Sequence, residues 1–340
     1  MGLAERPLAL TLGDPAGIGP DITLLAWTAR TRETIPPFVL IGDKAVLATR
    51  ARALGLSVPI AEVEDAREAP GLFQDALPVL PITVGGAVIA GRPDEAAVPA
   101  VRSSIERAVS LVQHGAARAV VTNPISKAVL YGAGFSVPGH TEYLASLASA
   151  KGAPLHPVMM LASPMLKVVP VTIHIPLKDV PRLLTKDLIL ATIEITARGL
   201  GRYFGLRRPR LVVSGLNPHA GEDGSLGREE IDIIGPAIEA ARAKDLDVTG
   251  PHPADTLFHA SARSTYDAAI CMYHDQALVP FKTLAFEEGV NVTLGLPFVR
   301  TSPDHGTAFR LAGTGKASPR SLIQALRLAS AMSERTEERA

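Results

Sequence analysis

The sequence predicts an α/β fold with a largely parallel sheet that helices cover on both faces. Short apolar runs of strand length alternate with longer amphipathic runs of helical period along most of the 340 residues. Hydrophobic residues make up 47 % of the chain and charged residues 20 %, which is typical of a globular protein and excludes a mainly disordered one. The length allows two domains or one large α/β unit.

The predicted strands are short apolar runs that end at polar or turn-forming residues. They are Leu8–Leu12, Phe38–Ile41, Ala119–Thr122, Val158–Ala162, Val168–His174, Leu211–Ser214, Ala268–Tyr273 and Val290–Gly295. The predicted helices lie between them, and in the helix from Asp94 the apolar residues Val101, Ile105 and Val109 repeat at the spacing of one buried face. They are Asp21–Ala29, Lys44–Leu54, Asp94–His114, Thr141–Lys151, Lys186–Tyr203, Arg228–Lys244 and Ser318–Met332.

Charge and cysteine content exclude several classes of protein. The formal net charge is +0, with 34 basic and 34 acidic residues, which argues against nucleic-acid binding because a basic face would be needed. The single cysteine, Cys271, lies in an apolar run and rules out an intramolecular disulfide. Glu5 and Arg6 interrupt any signal peptide, and Lys167 and His174 break the most apolar region, so we expect no membrane span and a cytoplasmic protein.

Three histidines stand at, or just beyond, the carboxyl ends of predicted strands. His174 ends VVPVTIH, His219 follows LVVSGLNP, and His274 follows AAICMY. Ligands bind at this edge of open α/β sheets, and imidazole is the commonest ligand of zinc. A hydrogen-bonded core or capping role is more common for any single histidine of this kind, but three in equivalent positions favour a divalent-metal site.

The segment VNVTLGLPFVRTSPDHG, residues 290–306, combines a strand pattern with ionisable and amide side chains. Buried charges need a partner or a metal, so we expect this segment and the preceding YHD to bind an anion and a metal ion. The residues concerned are His274, Asp275, Lys282, Asn291, Arg300, Asp304 and His305. For Lys282 and Arg300 the alternative is ordinary salt bridges to Asp304, Glu287 or Glu288.

Four further residues have two possible roles each. His140 and Thr141 precede a predicted helix, where free N–H groups bind an anion or Thr141 simply caps the helix. Asp255 and Asp275 are the carboxylates expected to face the histidines, where each orients a metal-bound imidazole or joins the metal. Their alternatives are a turn residue and a helix cap, respectively.

A glycine-rich loop, GDPAGIGP at residues 13–20, follows the first predicted strand and opens a helix. This is the position of a nucleotide-binding loop, but the spacing fits neither GxGxxG nor GxxxxGK(S/T). A nicotinamide cofactor, if the protein uses one, must therefore bind in another way.

Seven motifs are spread along nearly the whole chain. In order they are GDPAGIGPD, VTNPISKAVL, PGHTEYLA, GLNPHAGEDGSLGREEID, ADTLF, MYHDQ and GVNVTLGLPFVRTSPDHGTAF. Together they resemble the 4-hydroxythreonine-4-phosphate dehydrogenase family of vitamin B6 biosynthesis. The resemblance implies a fold like that of isopropylmalate and isocitrate dehydrogenases, with two α/β domains and a cleft between them. Both chain termini would lie in one domain, residues 1–132 plus 300–340, and residues 133–299 would form the other.

The same resemblance implies roles for individual residues. It places His174, His219 and His274 on a divalent metal (Zn, Mg or Co), and Pro297 and Asp304 in the loop that binds NAD or NADP. The substrate positions would be His140, Thr141, Lys282, Asn291 and Arg300. Lys282 and Asp255 are the candidate bases. The family is homodimeric with its active site at the subunit interface, so the metal ligands need not all come from one chain.

The implied reaction is oxidation of 4-phosphooxy-L-threonine to 2-amino-3-oxo-4-phosphooxybutanoate, which decarboxylates to 3-amino-2-oxopropyl phosphate. Relatives of the same fold oxidise aromatic cis-dihydrodiols, and GEDGSLGREE, PHPADTLF and KTLAFEEG depart from the usual family pattern. A metal-dependent cis-dihydrodiol dehydrogenase is therefore the alternative enzyme. A non-catalytic sensor of phosphorylated metabolites is the alternative outside enzymes, although three metal histidines favour catalysis.

Overall fold

The computed structural model describes residues 5–126, 129, 132, 140–149 and 155–337. The chain divides into two compact units, one formed by Met1–Pro157 and Leu296–Ala340 and the other by Val158–Gly295. Each unit has a sheet of mainly parallel strands together with helices, so the predicted α/β class is confirmed. No described helix is long and apolar enough to cross a membrane.

The strands of the first unit are β1 (Leu8–Thr11), β2 (Phe38–Gly42), β3 (Ile60–Glu62), β4 (Leu77–Pro81), β5 (Val120–Val121) and β12 (Arg300–Pro303). They form a sheet in the order β3-β4-β2-β1-β5-β12, in which every pairing is parallel. Strands β1 and β2 are buried at every position, as expected for a parallel sheet covered on both faces.

The helices of the first unit follow the predicted amphipathic runs, except for the short helix Ala69–Leu72, which was not predicted. They are Gly19–Ala29, Lys44–Ala53, Ala69–Leu72, Val98–Gln113, His140–Ala148 and Arg320–Glu337, with 3₁₀ turns at Ala66–Glu68, Glu95–Ala97 and Phe309–Leu311. The helix Val98–Gln113 buries Val101, Ile105 and Val109, which are the residues of its predicted apolar face. Asp43 caps the helix Lys44–Ala53 by accepting from the backbone N–H of Ala45 at 2.8 Å.

The strands of the second unit are β6 (Val158–Ala162), β7 (Lys167–Thr172), β8 (Leu211–Ser214), β9 (Val248–His252), β10 (Ala268–Tyr273) and β11 (Val290–Leu294). They form a sheet in the order β11-β6-β7-β10-β8-β9. Strand β6 is antiparallel to both of its neighbours, and the pairings among β7, β10, β8 and β9 are parallel.

The helices of the second unit include three that the sequence pattern did not predict, two of four residues and one of twelve. The α-helices are Val180–Leu183, Lys186–Phe204, Gly235–Arg242, Ala260–Arg263 and His274–Ala285, with a π-helical segment at Glu230–Ile234 and 3₁₀ turns at Leu177–Asp179, Pro218–Gly224 and Ala254–Thr256. The longest of the three starts at His274 and contains Pro280, a residue that usually ends a helical pattern.

Four strands were also missing from the prediction, namely β3, β4, β9 and β12. Three of them contain proline, and the fourth, β3, has only three residues. Proline and short length both weaken a strand pattern, because proline removes a backbone donor. Pairing with neighbouring strands forms these elements in spite of their weak local pattern.

The borders of the two compact units differ from the expected domain borders at 132/133 and 299/300. Helix His140–Ala148 lies in the first unit, because Tyr143, Leu144 and Ala148 belong to the hydrophobic core that also contains the face of helix Val98–Gln113. The hydroxyl of Tyr143 donates to the carboxylate of Glu106 at 2.6 Å and joins the two helices.

Candidate active site

The three predicted metal histidines follow three neighbouring strands of the second unit. His174 lies just beyond β7, His274 directly follows β10, and His219 lies in the loop after β8. The sheet order places β7, β10 and β8 side by side and parallel, so their carboxyl ends lie at one edge. This is the edge at which open α/β sheets bind ligands.

His174 and His274 lie close together at this edge. Their ring centroids are 5.7 Å apart. Both line a cavity of about 250 Å³, together with Tyr273, Asp275 and the apolar side chains of Leu177 and Val180. The pair is thus open to a ligand that enters along the sheet edge.

Asp275 sets the proton position on His274. Its carboxylate oxygen Oδ1 lies 2.6 Å from Nδ1 of His274. Because an ionised carboxylate only accepts hydrogen bonds, the proton of a neutral imidazole lies on Nδ1. The lone pair then lies on Nε2, which is the arrangement that a metal-binding histidine needs.

Gln276 ties two of the histidine-bearing strands together. Its Oε1 accepts from the hydroxyl of Ser214 at 2.8 Å and from the backbone N–H of Met272 at 2.7 Å, and its Nε2 donates to the carbonyl of Gly215 at 2.8 Å. The hydroxyl of Thr172, the last residue of β7, donates to the carbonyl of Met272 at 2.7 Å and so links the end of β7 to β10. The three strand ends therefore form one hydrogen-bonded network.

The donor set suits a divalent cation, but the histidines differ in their arrangement. His174 and His274 are adjacent imidazoles, and the Asp275 contact suits His274 to donate through Nε2. His219 belongs to a separate turn, and within the described residues no three His, Cys, Asp or Glu side chains form a ready-made metal group. His174 and His219 both have left-handed φ angles, 51° and 50°, an unfavourable conformation that is concentrated at functional sites.

The other predicted residues of the second unit occupy different places. Asp255 is exposed in the turn Ala254–Thr256, which packs beside the turn of His219. Lys282 lies on helix His274–Ala285 with its Nζ 5.5 Å from the ring centroid of Phe286. Asn291 lies on β11, and within the described part of the chain its Oδ1 has no hydrogen-bond partner although it is shielded from solvent.

Three predicted residues of the first unit, Arg300, Pro297 and Asp304, lie on β12 or next to it in the chain. Arg300 is only 3 % exposed, and its Nη2 donates to the hydroxyl of Thr122 at 2.6 Å. Burial lowers the pKa of Arg300 to about 10, which still leaves the guanidinium charged at neutral pH. Pro297 is exposed before this strand, and the backbone N–H of Asp304 after it donates to Ser321 Oγ at 3.0 Å.

His140 and Thr141 begin the helix His140–Ala148, as predicted. The side chain of His140 lies outside the described residues, as do residues 133–139 that precede it. Thr141 is half-buried in the first turn of this helix.

Comparison with known proteins identifies the family. The sequence profile of the family described as pyridoxal phosphate biosynthetic protein PdxA matches residues 33–329. The chain belongs to the PdxA family. The family predicted from the motifs is thereby confirmed, and relatives named 4-hydroxythreonine-4-phosphate dehydrogenase confirm the dehydrogenase class.

Named relatives of this PdxA-family chain match it over nearly its full length. A 4-hydroxythreonine-4-phosphate dehydrogenase from Methylorubrum populi is 59 % identical over 98 % of this chain and 97 % of its own. A crystal structure of 4-hydroxythreonine-4-phosphate dehydrogenase from Klebsiella pneumoniae is 37 % identical, with a TM-score of 0.84 over 96 % of this chain and 99 % of that one. A terephthalate 1,2-cis-dihydrodiol dehydrogenase from Burkholderia xenovorans is 26 % identical, with a TM-score of 0.63 over 96 % and 98 %.

Three residues of this PdxA-family chain support the histidines and were not singled out from its sequence. They are Gln276, Asn217 and Glu230. Gln276 donates to the carbonyl of Gly215 just after β8, and Glu230 accepts from the backbone and the side chain of Asn217, which lies in the loop after β8. Gln276 directly follows His274-Asp275, and Asn217 lies just before His219, so proximity to a candidate ligand was an available signal. Glu230 had no such signal, because its partners lie more than ten residues earlier in the chain.

Proposed function

We propose that this chain oxidises 4-phosphooxy-L-threonine to 2-amino-3-oxo-4-phosphooxybutanoate with NAD or NADP. The product then decarboxylates to 3-amino-2-oxopropyl phosphate, in the pathway to pyridoxine 5′-phosphate. The observation that carries the proposal is that His174, His219 and His274 follow the carboxyl ends of three adjacent parallel strands, in a chain of the PdxA family. The cytoplasmic location predicted from the sequence stays a prediction.

The three histidines are the proposed ligands of one divalent ion, Zn²⁺, Mg²⁺ or Co²⁺. When bound, such an ion lowers the pKa of a coordinated hydroxyl and stabilises negative charge that develops on oxygen. Asp275 keeps the proton of His274 on Nδ1. Gln276 bonds to the backbone of Met272 in β10 and of Gly215 just after β8, and so holds the ends of these two strands together. These contacts support a rigid ligand set, because they fix both the tautomer and the spacing of the strand ends.

The substrate carries a phosphate, a carboxylate and an ammonium group, so its binding requires both cations and polar groups. We propose that Arg300 and Lys282 bind the two anionic groups, and that His140, Thr141 and Asn291 complete the substrate site. A guanidinium binds a carboxylate or phosphate through two parallel N–H donors, which a lysine cannot do. The shielded and unsatisfied Oδ1 of Asn291, within the described residues, supports its role as an acceptor for a substrate donor.

Proton removal from the hydroxyl requires a base, for which Lys282 and Asp255 are the candidates. Asp255 is exposed and lies in the turn beside His219, which supports access to a ligand at that histidine. We assign the nicotinamide cofactor to the loop that includes Pro297 and Asp304. The homodimer, with an active site at the subunit interface, is part of the same proposal.

The test is an absorbance assay of NAD(P)H formation. The protein is stripped with a chelator, reloaded with Zn²⁺, Mg²⁺ or Co²⁺, and given NAD or NADP with 4-phosphooxy-L-threonine. We expect metal-dependent turnover that His219→Ala abolishes, whereas the control His259→Ala, at an exposed helix N-cap, retains it. Turnover that is unaffected by the chelator and by His219→Ala would contradict the metal assignment.

A second candidate function has one observation in its favour, the similarity to the terephthalate 1,2-cis-dihydrodiol dehydrogenase from Burkholderia xenovorans. The same assay with a terephthalate cis-dihydrodiol separates the two. A kcat/KM higher for the dihydrodiol than for 4-phosphooxy-L-threonine would overturn the first proposal. We expect the opposite, because the relative named 4-hydroxythreonine-4-phosphate dehydrogenase is 59 % identical and the dihydrodiol enzyme is 26 % identical.

A further inference from the structure

The turn that carries His219 is left-handed over five consecutive residues. The φ angles of His219, Ala220, Gly221, Glu222 and Asp223 are 50°, 52°, 79°, 41° and 55°. Of these five residues, only Gly221 lacks a Cβ atom, so only Gly221 adopts this region without a clash between Cβ and the backbone. The local sequence therefore disfavours the conformation, and contacts from outside the turn must impose it.

The carboxylate of Glu230 makes those contacts. Glu230 is only 4 % exposed. Its Oε1 accepts from the backbone N–H groups of Leu216 and Asn217 at 2.7 and 2.8 Å, and its Oε2 accepts from Nδ2 of Asn217 at 2.9 Å. Both carboxylate oxygens are thus bonded to the two residues that lead into the turn.

The turn also packs directly against this carboxylate. A Cβ atom added to Gly221 would lie 2.6 Å from Glu230 Oε2, and one added to Gly215 would lie 3.0 Å from Oε1 and 2.9 Å from the Cα of Ala220. Glycines at these two positions allow the backbone to touch the carboxylate on both sides. The position of Glu230 therefore determines the path of the chain from β8 to His219.

We propose that Glu230 is a positioning residue for metal binding by His219. Its buried carboxylate holds the segment from Gly215 into the left-handed turn at residues 219–223, which presents the imidazole, and Asn217 assists by bonding to the same carboxylate. The inference rests on the proposed function in one respect, that His219 is a metal ligand. The competing explanation is that Glu230 only stabilises the fold of the second unit.

The test compares Glu230→Gln with Asp232→Asn. A glutamine keeps the size of the side chain, but either orientation of its amide places an NH₂ group against a backbone or side-chain donor. Asp232 is a matched control because it lies two residues later, where its carboxylate bonds to the exposed Arg228 instead of the His219 turn. Co²⁺ affinity is measured by the visible absorption of the bound ion, and backbone protection at residues 216–226 by hydrogen exchange.

We expect Glu230→Gln to weaken Co²⁺ binding at least tenfold and to speed exchange at residues 216–226, with little change in the rest of the protein. Asp232→Asn should change Co²⁺ affinity less than twofold. Unchanged exchange in Glu230→Gln would show that the carboxylate does not hold the turn. Faster exchange with unchanged Co²⁺ affinity would show that it holds the turn without positioning a ligand.

A milder variant, Asn217→Ala, applies if Glu230→Gln does not fold. It removes one donor to Glu230 while the two backbone donors remain. We therefore expect a smaller loss of Co²⁺ affinity and a smaller increase in the exchange rate at residues 216–226. His219→Ala in the same titration separates the two proposals. If His219→Ala binds Co²⁺ as tightly as the wild-type protein does, the metal assignment fails and the positioning role fails with it. If binding depends on His219 but not on Glu230 or Asn217, only the positioning role fails.

Discussion

His274 Nδ1 lies 2.6 Å from the carboxylate of Asp275, so the residue after a candidate metal ligand sets the tautomer of that ligand. The contact is local, since Asp275 is the next residue and is 74 % exposed. We expect Asp275→Asn to weaken divalent-metal binding by about tenfold or more, because the neutral amide lowers the basicity of the imidazole. Calorimetric titration of chelator-stripped protein measures the change. An affinity equal to that of the wild type would leave Asp275 as an acidic residue in the first turn of the helix, with no role in metal binding.

The role of Arg300 is tested by a change that keeps its charge. Arg300→Lys removes the planar fork, and we expect kcat/KM for 4-phosphooxy-L-threonine to fall at least about tenfold, on the scale of about 1.5–3 kcal/mol for a charge-assisted hydrogen bond. Metal content should stay the same. The control is Arg118→Lys, a change at another buried arginine that pairs with Glu334, which should reduce stability but not kcat/KM. If both variants behave alike, Arg300 is structural.

We expect the hydrogen bond from Tyr143 to Glu106 to make a pH-dependent contribution to the free energy of unfolding. The hydrogen bond from Tyr143 is the main cause that lowers the pKa of Glu106, and burial together with Glu106 raises the pKa of Tyr143 to about 12. A carboxylate with a lowered pKa stabilises the fold above its ordinary pKa and loses that contribution as the pH falls through the lowered value. Tyr143→Phe should therefore reduce the free energy of unfolding by about 1 kcal/mol at pH 7, and by less below about pH 4.

Urea unfolding at pH 7 and at acidic pH measures this difference. Tyr266→Phe is the matched control, because the hydroxyl of Tyr266 donates to the carbonyl of Leu257 at 2.8 Å, and neither group titrates in this range. Its effect on stability should be the same at both pH values. A Tyr143→Phe effect that is equally independent of pH would show that the bond to Glu106 contributes no charge-dependent stability.

The homodimer is tested by sedimentation equilibrium. We expect twice the chain mass of 35.7 kDa at micromolar concentration. Since the proposed active site lies at the subunit interface, dilution below the dissociation constant of the dimer should lower the specific activity. A fully active monomer would show that one chain completes the site.

The helix His274–Ala285 shows how far local pattern extends in this protein. The apolar run of β10 was predicted correctly, but the helix directly after it was not, because Pro280 and the charged residues near its start conceal the helical period. Tertiary packing decides the matter, since Ala277, Phe281 and Ala285 of this helix lie in one core with Cys271 of the strand. A buried face thus outweighs a weak local preference.

The sequence by itself determined the α/β class, the family, and the location of three histidines at or beyond strand ends. These properties follow from short-range periodicity and from motifs whose residues are near one another in the chain. Only the tertiary structure decided that β7, β10 and β8 are neighbours, that Arg300 is buried beside Thr122, and that Glu230 holds the turn of His219. The physical reason is that each of these depends on contacts between distant residues, and such contacts determine the backbone conformation even where, as at His219, the local preference opposes it.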